Sequence, residues 1–469
     1  MLTAAYTRRH IQVFYGRQTE LKKLDSIYES GKFECVILHG RWRTGKTELL
    51  KEFMSKCKEF IYFCAQESSQ NENMENLVRC IEAHTGYTKT REISNYNDAF
   101  EQVGAIAQNG RVLFIIDDYQ YLVSSCRGIS ALICGLTERW LKDSKVMLLI
   151  CGSSEPVMRA ETLGYNSPFH GVRTAQIEVL PFTFFELKRY YSAFSPFDIA
   201  ILYGITGGIP KYINMMDPAL PIEENIQRTF FDPSSALFDE TVNILRREVR
   251  EPAFYNAVLS AIASGKAKNS EIASAAGLET SACTAYLKNL MALGLVDKYT
   301  PVTERAGKKT IYEIRDNMFR FWYKFIPENM SQIKSGMASR IWRSVAREIP
   351  AFMNKVFEDI CRVWMEQQNQ AGRLPVQIVE IGRWWGSDPV MKSDAVIPIL
   401  AYADDEHAYF GDCVWSDEPA QVGALISLSD RSRLFRYPNR YLYLFSRSGF
   451  SDECIDTAKR LGANLVMFE

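Results

Sequence analysis

Four residues near the start of the sequence have the types and the spacing of a phosphate-binding loop. In the segment HGRWRTGKTELL, residues 39–50, four residues separate Gly40 from Gly45, and Lys46 and Thr47 follow. The glycines let the chain curl so that successive backbone N–H groups point into one hollow, which suits an anionic phosphate. The lysine can then reach the β- and γ-phosphates of a nucleotide, and the threonine hydroxyl can take a Mg²⁺ position. The alternative is a glycine turn that binds nothing.

The flanking segments place this loop between a strand and a helix. ECVILHG, before the loop, is a short apolar run of the kind that forms a buried parallel strand. After the loop, TELLKEFMSKCKEF has helical spacing of its apolar residues Leu49, Leu50, Phe53 and Met54. Because the amino terminus of a helix carries a partial positive charge, it favours a bound anion. The context therefore favours nucleotide binding over an empty turn.

Two adjacent carboxylates end another apolar run, in RVLFIIDDYQYL. At the carboxyl end of a buried strand, Asp117 is expected beside the phosphate loop, where it can hold Mg²⁺ directly or through water. Asp118 stands where many ATPases have a glutamate that orients the attacking water, and we assign it that catalytic role. Its side chain is one methylene shorter than that of glutamate, which predicts slow catalysis. A pair of solvated acids that caps a strand is the alternative.

A serine pair ends the next apolar run, in LLICGSSEPVM. Ser153 or Ser154 could contact the γ-phosphate or the attacking water and so act as a sensor of hydrolysis. Serine is common at strand ends, so this pattern is less specific than the phosphate loop.

The elements that must position these residues lie in the first part of the chain, up to about residue 180. The apolar runs that predict strands are CVILHG, FIYFCA, VLFIIDD, VMLLICGS and AQIEVLP, and helical segments lie between them. Such an alternation predicts an α/β domain whose parallel sheet is covered by helices on both faces.

Composition sets limits on the rest of the 469-residue chain. The length allows roughly three or four domains, and a hydrophobic content of 47% supports sizeable cores. The net charge of -1 gives no global basic field, so any nucleic-acid surface must be local. Eleven cysteines without C-x-x-C spacing argue for reduced thiols and against a zinc site. The segment MLTAAYTRRHIQVFYG has no apolar core of signal-peptide length, and no stretch approaches the length of a membrane span, so we expect a cytoplasmic protein without membrane contact.

Six motifs occur in order along the chain. They are FYGRQTEL at 14–21, the phosphate loop, FIIDDYQYL, CGSS, SPFHGVRT at 167–174 and GGIPKY at 207–212. In these motifs the chain resembles the archaeal-type ATPases of the AAA+/STAND group of P-loop proteins, which are also found in bacteria. The resemblance covers essentially the whole chain. It implies ATP and Mg²⁺ as ligands, a five-stranded sheet with the phosphate-loop strand central, and a helical lid after the sheet.

The same resemblance implies roles for further residues. Arg17 would lie near the adenine end of the nucleotide. Family members often have two arginines before the threonine of SPFHGVRT, whereas here the first is Val172 and only Arg173 remains. Arg173 is the candidate that senses the γ-phosphate, within the chain or across a subunit boundary in an oligomer; an ordinary surface arginine is the alternative. In GGIPKY, Pro210 and Tyr212 would pack near the base, although a purely structural turn fits equally well.

The middle of the chain has the pattern of a winged helix-turn-helix. Three helical segments, EPAFYNAVLSAIASG, KNSEIASAAGL and ETSACTAYLKNLMALGLV, precede the hairpin pattern LVDKYTPVTERAGKKTIYEI. In DNA-binding versions of this fold the third helix enters the major groove. The candidate contacts to double-stranded DNA are Lys288, Lys308 and Lys309. So few cations predict weak, salt-sensitive binding, and the same fold also packs domains or binds proteins.

The last part of the chain has the element order αβββαβ of restriction-endonuclease-like folds of the PD-(D/E)xK type, and it resembles the C-terminal domain that accompanies these ATPases. A working site of that type needs an aspartate, then an acid and a lysine two residues apart, to hold Mg²⁺ and orient water. Those positions fall here at Pro398, Asp412 and Val414. Other acids that could serve as metal ligands are Asp394, Glu358 and Glu380. Because two of the three parts are missing, we expect a nuclease fold that has lost catalysis but can still bind nucleic acid or a partner.

These patterns divide the chain into five predicted parts. They are a P-loop ATPase core at 1–181, a helical lid at 182–248, a winged helix-turn-helix at 249–328, a linker at 329–349 and a degenerate restriction-endonuclease-like domain at 350–469.

The leading hypothesis is a protein that binds and hydrolyses ATP and uses its nucleotide state to rearrange the lid, the winged helix and the C-terminal domain. The first alternative is a switch that binds ATP, hydrolyses it negligibly and acts through a protein partner; the shorter acid at Asp118 favours it modestly. The second alternative is an ATP-gated nuclease, which Pro398 and Val414 argue against.

Overall fold

The computed structural model describes residues 16–84, 93–302, 309–389 and 391–468. The chain forms two compact units. One ends at Phe182 and also includes Ile209–Lys211, and the other comprises Thr183–Gly208 and the residues from Tyr212 onward. Within the described ranges, no helix combines the length and the apolar character needed to cross a membrane.

The first unit is built on a parallel sheet of five strands. The strands are β1 Glu34–His39, β2 Phe60–Cys64, β3 Val112–Asp117, β4 Val146–Gly152 and β5 Ala175–Glu178. Their order is β2-β3-β4-β1-β5, and all neighbouring strands are parallel. The predicted five-stranded parallel sheet is therefore confirmed. The prediction that the phosphate-loop strand β1 is central is wrong. The central strand is β4, and β1 lies between β4 and the edge strand β5.

Helices cover both faces of this sheet. They are α1 Gln18–Glu29, α2 Lys46–Met54, α3 Gln70–His84, α4 Tyr96–Ile106, α5 Tyr119–Ser125, α6 Ile129–Leu136 and α7 Glu155–Met158, with single turns at Thr137–Leu141, Arg159–Leu163 and Pro168–Gly171. Val36 of β1 packs with Leu24 of α1 and Leu49 of α2, whereas its neighbour Ile37 belongs to the core on the opposite face. Every residue of β1, β3 and β4 is buried. These strands therefore appear in the sequence as continuous apolar runs.

The second unit begins with helical residues. They form α8 Phe184–Tyr190, α9 Pro196–Thr206, the short α10 Pro210–Ile213, which belongs partly to each unit, α11 Ile222–Phe230 and α12 Glu240–Glu248. Next come α13 Pro252–Ala263, α14 Asn269–Ala276 and α15 Thr280–Ala292, and then an antiparallel pair of strands, β6 Val296–Tyr299 and β7 Ile311–Ile314. Residues 303–308, between the two strands, lie outside the described part of the chain.

A long helix precedes the second sheet. The helices here are α16 Asn317–Phe325, α17 Met330–Lys334 and α18 Ala338–Gln370. The domain boundary predicted at residue 350 falls inside α18, which is continuous over 33 residues and contains Pro350. Pro350 is exposed, so its ring removes one backbone hydrogen bond without disturbing a packed face. The stretch predicted as a linker at 329–349 is accordingly mostly helical.

The second sheet has five strands in the order β12-β11-β10-β9-β8. The strands are β8 Glu380–Asp388, β9 Ser393–Tyr402, β10 His407–Val414, β11 Asn439–Ser446 and β12 Asn464–Met467, and the helices between them are α19 Val422–Ser432 and α20 Asp452–Leu461. The first three strands form an antiparallel meander, and β10, β11 and β12 are parallel. α18 packs on one face, where the rings of Trp364 and Phe445 lie 5.5 Å apart. α19 packs on the other face, where Leu425 clusters with Leu444.

Candidate functional site

The phosphate loop connects the end of β1 to the start of α2 and needs both of its glycines. Gly40 has a φ of 148°, and a Cβ atom there would lie 2.4 Å from the backbone oxygen of Val179. Gly45 has a φ of 94° and precedes the first residue of α2. Larger residues rarely adopt such angles. The loop conformation therefore explains the glycine spacing that is visible in the sequence.

Lys46 is the first residue of α2 and points back at its own loop. Its side chain is buried, and Nζ donates to the backbone oxygens of Gly40 at 2.6 Å and Arg41 at 2.7 Å. Burial lowers the pKa of Lys46, while the nearby thiol of Cys151 and the carboxylates of β3 oppose that shift. The lysine ammonium is thus held inside the loop, where phosphate oxygens could replace the two carbonyls as its partners. Thr47, the next residue, is exposed.

Asp117 is the last residue of β3, and its carboxylate is fixed on both sides. Oδ2 accepts a hydrogen bond from the Tyr62 hydroxyl at 2.8 Å, and Oδ1 accepts one from the Asp118 backbone N–H at 2.8 Å. A carboxylate has about four lone-pair sites, so acceptor capacity remains for a cation. The Asp117 carboxylate and the Thr47 hydroxyl are oxygen donors of the type that Mg²⁺ prefers, so these residues fit the predicted cation.

Asp118 occupies the left-handed region of backbone space, with a φ of 52°. Gln120 donates from Nε2 to its Oδ1 at 3.0 Å, and the Cys64 thiol lies 3.7 Å from its Oδ2. Burial, followed by the charge of Asp117, raises the pKa of Asp118. A non-glycine residue in this conformation persists only where its surroundings hold it, which is common at functional sites.

The predicted sensor serines directly follow β4, the neighbour of β3. Ser153 and Ser154 are both buried. The Ser153 backbone N–H donates to Oε1 of Gln120 at 3.0 Å. Gln120 therefore lies between the predicted catalytic acid and the predicted sensor, although no sequence pattern points to it. Its only signal is a polar residue within the segment YQYL, and the sequence does not reveal that this side chain is buried.

Arg17 lies against the phosphate loop. Its guanidinium donates to the backbone oxygens of Thr44 at 2.9 Å and Leu180 at 2.6 Å, and it stacks on the ring of Phe182 at 4.3 Å. An ion pair with Glu20 at 3.2 Å completes its surroundings. These contacts brace the loop; a role for Arg17 near the adenine remains a prediction.

Arg173 holds the turn that follows the sensor serines. Nη1 donates to the backbone oxygen of Thr162 at 2.7 Å and also to that of Leu163. The same guanidinium lines a cavity of about 420 Å³ together with His39, Glu155 and other polar residues. The structure therefore gives Arg173 a local structural contact, and its role as a γ-phosphate sensor stays a prediction.

The acids of the C-terminal sheet do not converge on one site. Asp412 of β10 forms an ion pair with Arg431 of α19 at 2.5 Å, and Arg431 also donates to the backbone oxygen of Val396. Glu358 belongs to α18, on the opposite face of the sheet, where Lys355 lies 3.6 Å away. Glu380 accepts from the Tyr402 hydroxyl. Arg431 is a second residue that the sequence analysis missed, because its partner is distant in sequence.

No metal cluster is present in the part of the chain that the structure describes. Within the described ranges, no three His, Cys, Asp or Glu side chains form a group that could hold a metal ion. Asp394 is exposed on β9, and Val414 packs in an apolar cluster with Leu425 and Leu444. Val414, predicted to stand where a working nuclease has its lysine, is thus partly buried against apolar side chains.

The candidate DNA contacts are only partly visible. Lys288 is exposed on α15, and Lys309 is exposed shortly before β7. Lys308 lies outside the described residues. Asn289, also on α15, donates to the Tyr255 hydroxyl at 2.7 Å, so this amide already has an internal partner.

A parallel sheet of this topology, with the phosphate loop after β1 and paired aspartates at the end of β3, defines a P-loop nucleoside triphosphatase. Residues 14–216 match the family described as an ATPase domain predominantly from Archaea. Residues 322–425 match a family described as archaeal and bacterial proteins of unknown function. The chain therefore belongs to the P-loop ATPases of the archaeal type.

Individual relatives agree with this assignment. An uncharacterised protein of Methanocaldococcus jannaschii is 28% identical over 406 residues, which are 86% of this chain and 88% of that protein. An uncharacterised ATP-binding protein of the same organism is 39% identical over 56 residues, 12% of this chain and 95% of that protein. The structure of a Walker-type ATPase of Pyrococcus abyssi has a TM-score of 0.53 at 18% identity and covers 66% of this chain and 96% of its own. Because the sequence identity is 18%, the similarity to the Pyrococcus abyssi structure shows a shared fold alone.

Proposed function

We propose that the protein uses Mg²⁺-dependent ATP hydrolysis to change the state of its C-terminal parts, with double-stranded DNA or a protein as partner. One observation carries this proposal. The phosphate loop after β1 and the aspartate pair at the end of β3 lie at the same carboxyl edge of the parallel sheet, on either side of β4, and the charges of Asp117 and Asp118 favour the charged form of Lys46. This arrangement supplies a cation for phosphate and carboxylates for a metal and a water in one place.

Each residue of the site has a distinct proposed task. The backbone N–H groups between Gly40 and Gly45 and the Lys46 ammonium would bind the phosphates. The Thr47 hydroxyl and the Asp117 carboxylate would hold Mg²⁺, which when bound neutralises charge on the β- and γ-phosphates. Asp118 would orient the attacking water. A backbone or hydroxyl group of the serine pair after β4 would sense the γ-phosphate.

The parts after the ATPase core supply the proposed output. The three helices α13, α14 and α15 and the strands β6 and β7 have the order of a winged helix-turn-helix. Lys288 of α15 and Lys309 near β7 are exposed cations that fit phosphate contacts, although their small number also fits a protein partner. Arg173 acting across a subunit boundary would require an oligomer.

The C-terminal sheet is proposed as a nuclease-like fold without cleavage activity. Arg431 neutralises Asp412, the acid that would otherwise bind metal. The opposite-face location of Glu358 prevents it from joining Asp412 at one ion. Binding of nucleic acid or of a protein partner is therefore favoured over an ATP-gated nuclease.

Phosphate release from ATP by the purified protein, with and without double-stranded DNA, tests this function beside a Lys46→Ala variant. DNA-stimulated turnover that the variant lacks would support a DNA-coupled ATPase. Nucleotide binding without turnover would support the switch, for which Asp118 in place of glutamate is the specific observation. Failure of the wild-type protein to bind ATP would refute both.

A further inference from the structure

We propose that Gln120 is a positioning residue that holds the carboxylate of Asp118 and connects it to the sensor end of β4. The inference rests on the proposed function, because it assigns a task within the hydrolytic site. Gln120 is the second residue of α5, it is 7% exposed, and both ends of its amide are engaged.

The two hydrogen bonds of this amide define its orientation. Nε2 donates to Oδ1 of Asp118 at 3.0 Å, and Oε1 accepts from the backbone N–H of Ser153 at 3.0 Å. An ionised carboxylate can only accept and a backbone N–H can only donate. A carboxamide is the side chain that satisfies both partners at once, whereas glutamate at 120 would place a second negative charge against Asp118.

The end of β4 is shaped to receive this amide. A Cβ atom at Gly152 would lie 3.1 Å from Oε1 of Gln120 and 2.2 Å from Sδ of Met158. Glycine at 152 therefore leaves the space in which the amide reaches the Ser153 N–H. Since β3 and β4 are neighbours in the sheet, Gln120 bridges the carboxyl ends of two adjacent strands.

The bridge gives Asp118 a defined position. Asp118 has a left-handed backbone conformation and a short side chain, so its reach toward a water depends on how its carboxylate is held. A movement of the Ser153 backbone would pass to the Gln120 amide and from there to Oδ1 of Asp118. We infer that a change at the sensor is transmitted to the acid that orients water through this one side chain.

The test compares kcat with nucleotide affinity in Gln120→Met, which keeps length and removes both hydrogen bonds. We expect kcat to fall about 10- to 100-fold, because small misplacements of a catalytic group have effects of that size. Affinity for a fluorescent ATP analogue should stay within about twofold. Gln120→Glu should lose kcat to a similar extent. Gln108→Met, an exposed glutamine of the same unit, serves as the matched control and should change neither quantity.

A second arm asks whether Gln120 acts through Asp118. In an Asp118→Asn background, single-turnover hydrolysis of radiolabelled ATP should show little further loss on Gln120→Met, since the two changes disable one unit. The same fold-loss in both backgrounds would overturn the inference, and so would an unchanged kcat in Gln120→Met. Parallel losses of affinity and thermal stability would assign Gln120 a merely structural role. If the wild type hydrolyses ATP and Lys46→Ala does not, the proposed function holds, and a negative result for Gln120 refutes only the inference. If the wild type shows no such turnover, the proposed function and the inference both fail.

Discussion

At the scale of single residues, the buried ammonium of Lys46 has the largest expected effect. Burial lowers its pKa, and Cys151, Asp117 and Asp118 oppose that shift; hydrogen bonds to the backbone oxygens of Gly40 and Arg41 hold the group where phosphate would bind. Lys46→Ala should reduce ATP affinity roughly 100-fold, the size expected for losing charge-assisted hydrogen bonds. Equilibrium binding of an ATP analogue measures this. Lys51→Ala, an exposed lysine on the same helix that pairs with Glu48, is the control, and unchanged affinity in Lys46→Ala would disprove the assignment.

A substitution of Asp118 is predicted to increase activity, whereas the substitution of Lys46 is predicted to weaken binding. Its side chain is shorter than the glutamate found at this position in many ATPases, and its carboxylate is held by the Gln120 amide. Asp118→Glu should raise kcat several-fold, because the added methylene extends the carboxylate toward the attacking water. Steady-state phosphate release measures the effect. A variant with the same turnover as the wild type would weaken the water-orienting role of Asp118 and would remove the shorter acid as an argument for the switch.

At the scale of elements, the strands of the first unit could be predicted because they are buried on both faces. A wholly buried strand such as β1 or β4 leaves a continuous apolar run in the sequence, and the loop and acids that follow such runs can be located from them. The order of strands could not be read in the same way, since β4 rather than β1 is central. Strand order depends on where each crossover connection packs on the sheet, and a single sequence gives little information about those positions.

The long helix α18 shows a second limit of local pattern. The predicted domain boundary falls at Pro350, yet the helix continues there because that position is exposed and the apolar face on either side stays packed. The hydrogen-bond partners of Gln120 and of Arg431 could not be predicted from the sequence for a related reason. Their hydrogen bonds join residues 33 and 19 positions apart, and no periodicity reports such contacts.

Glu358 on α18 gives a prediction about pH and stability. Burial raises its pKa, while Lys355 and Arg383 oppose this and Asp359 and Glu313 add to it. Because the folded state then binds more protons than the unfolded state, the contribution of Glu358 to stability is present at low pH and is lost as pH rises through the raised pKa. Glu358→Gln should therefore raise the melting temperature by about 2 °C or more at pH 8 and by less at pH 5.

Thermal unfolding followed by circular dichroism at the two pH values measures this difference. Glu348→Gln is a suitable control, because Glu348 lies on the same helix with its side chain 57% exposed. Equal changes in melting temperature at pH 5 and pH 8 would show that the charge of Glu358 does not destabilise the folded state.

At the scale of the whole molecule, the two units differ in what their side chains could catalyse. In the described residues, the first unit brings together Lys46, Asp117 and Asp118, whereas the acids of the C-terminal sheet do not converge on one site. In the C-terminal sheet, Arg431 forms an ion pair with Asp412, and Val414 packs against an apolar cluster. The net charge of -1 likewise gives no long-range attraction to DNA. Among the described residues, the groups that fit nucleotide chemistry therefore lie in the ATPase unit, in line with the proposed role of the later parts as its output.

If double-stranded DNA is the partner, its binding should depend on Lys288 and Lys309, exposed cations near the predicted third helix and wing. The double variant Lys288→Ala and Lys309→Ala should weaken binding about equally for unrelated sequences and should reduce the salt slope of log affinity by about 2, roughly one for each lost phosphate contact. Fluorescence anisotropy with a labelled duplex at several salt concentrations measures both quantities. Lys142→Ala, an exposed lysine of the first unit, should leave them unchanged. An unaltered slope in the double variant would mean that these lysines do not contact DNA, and a protein partner would then become the favoured target.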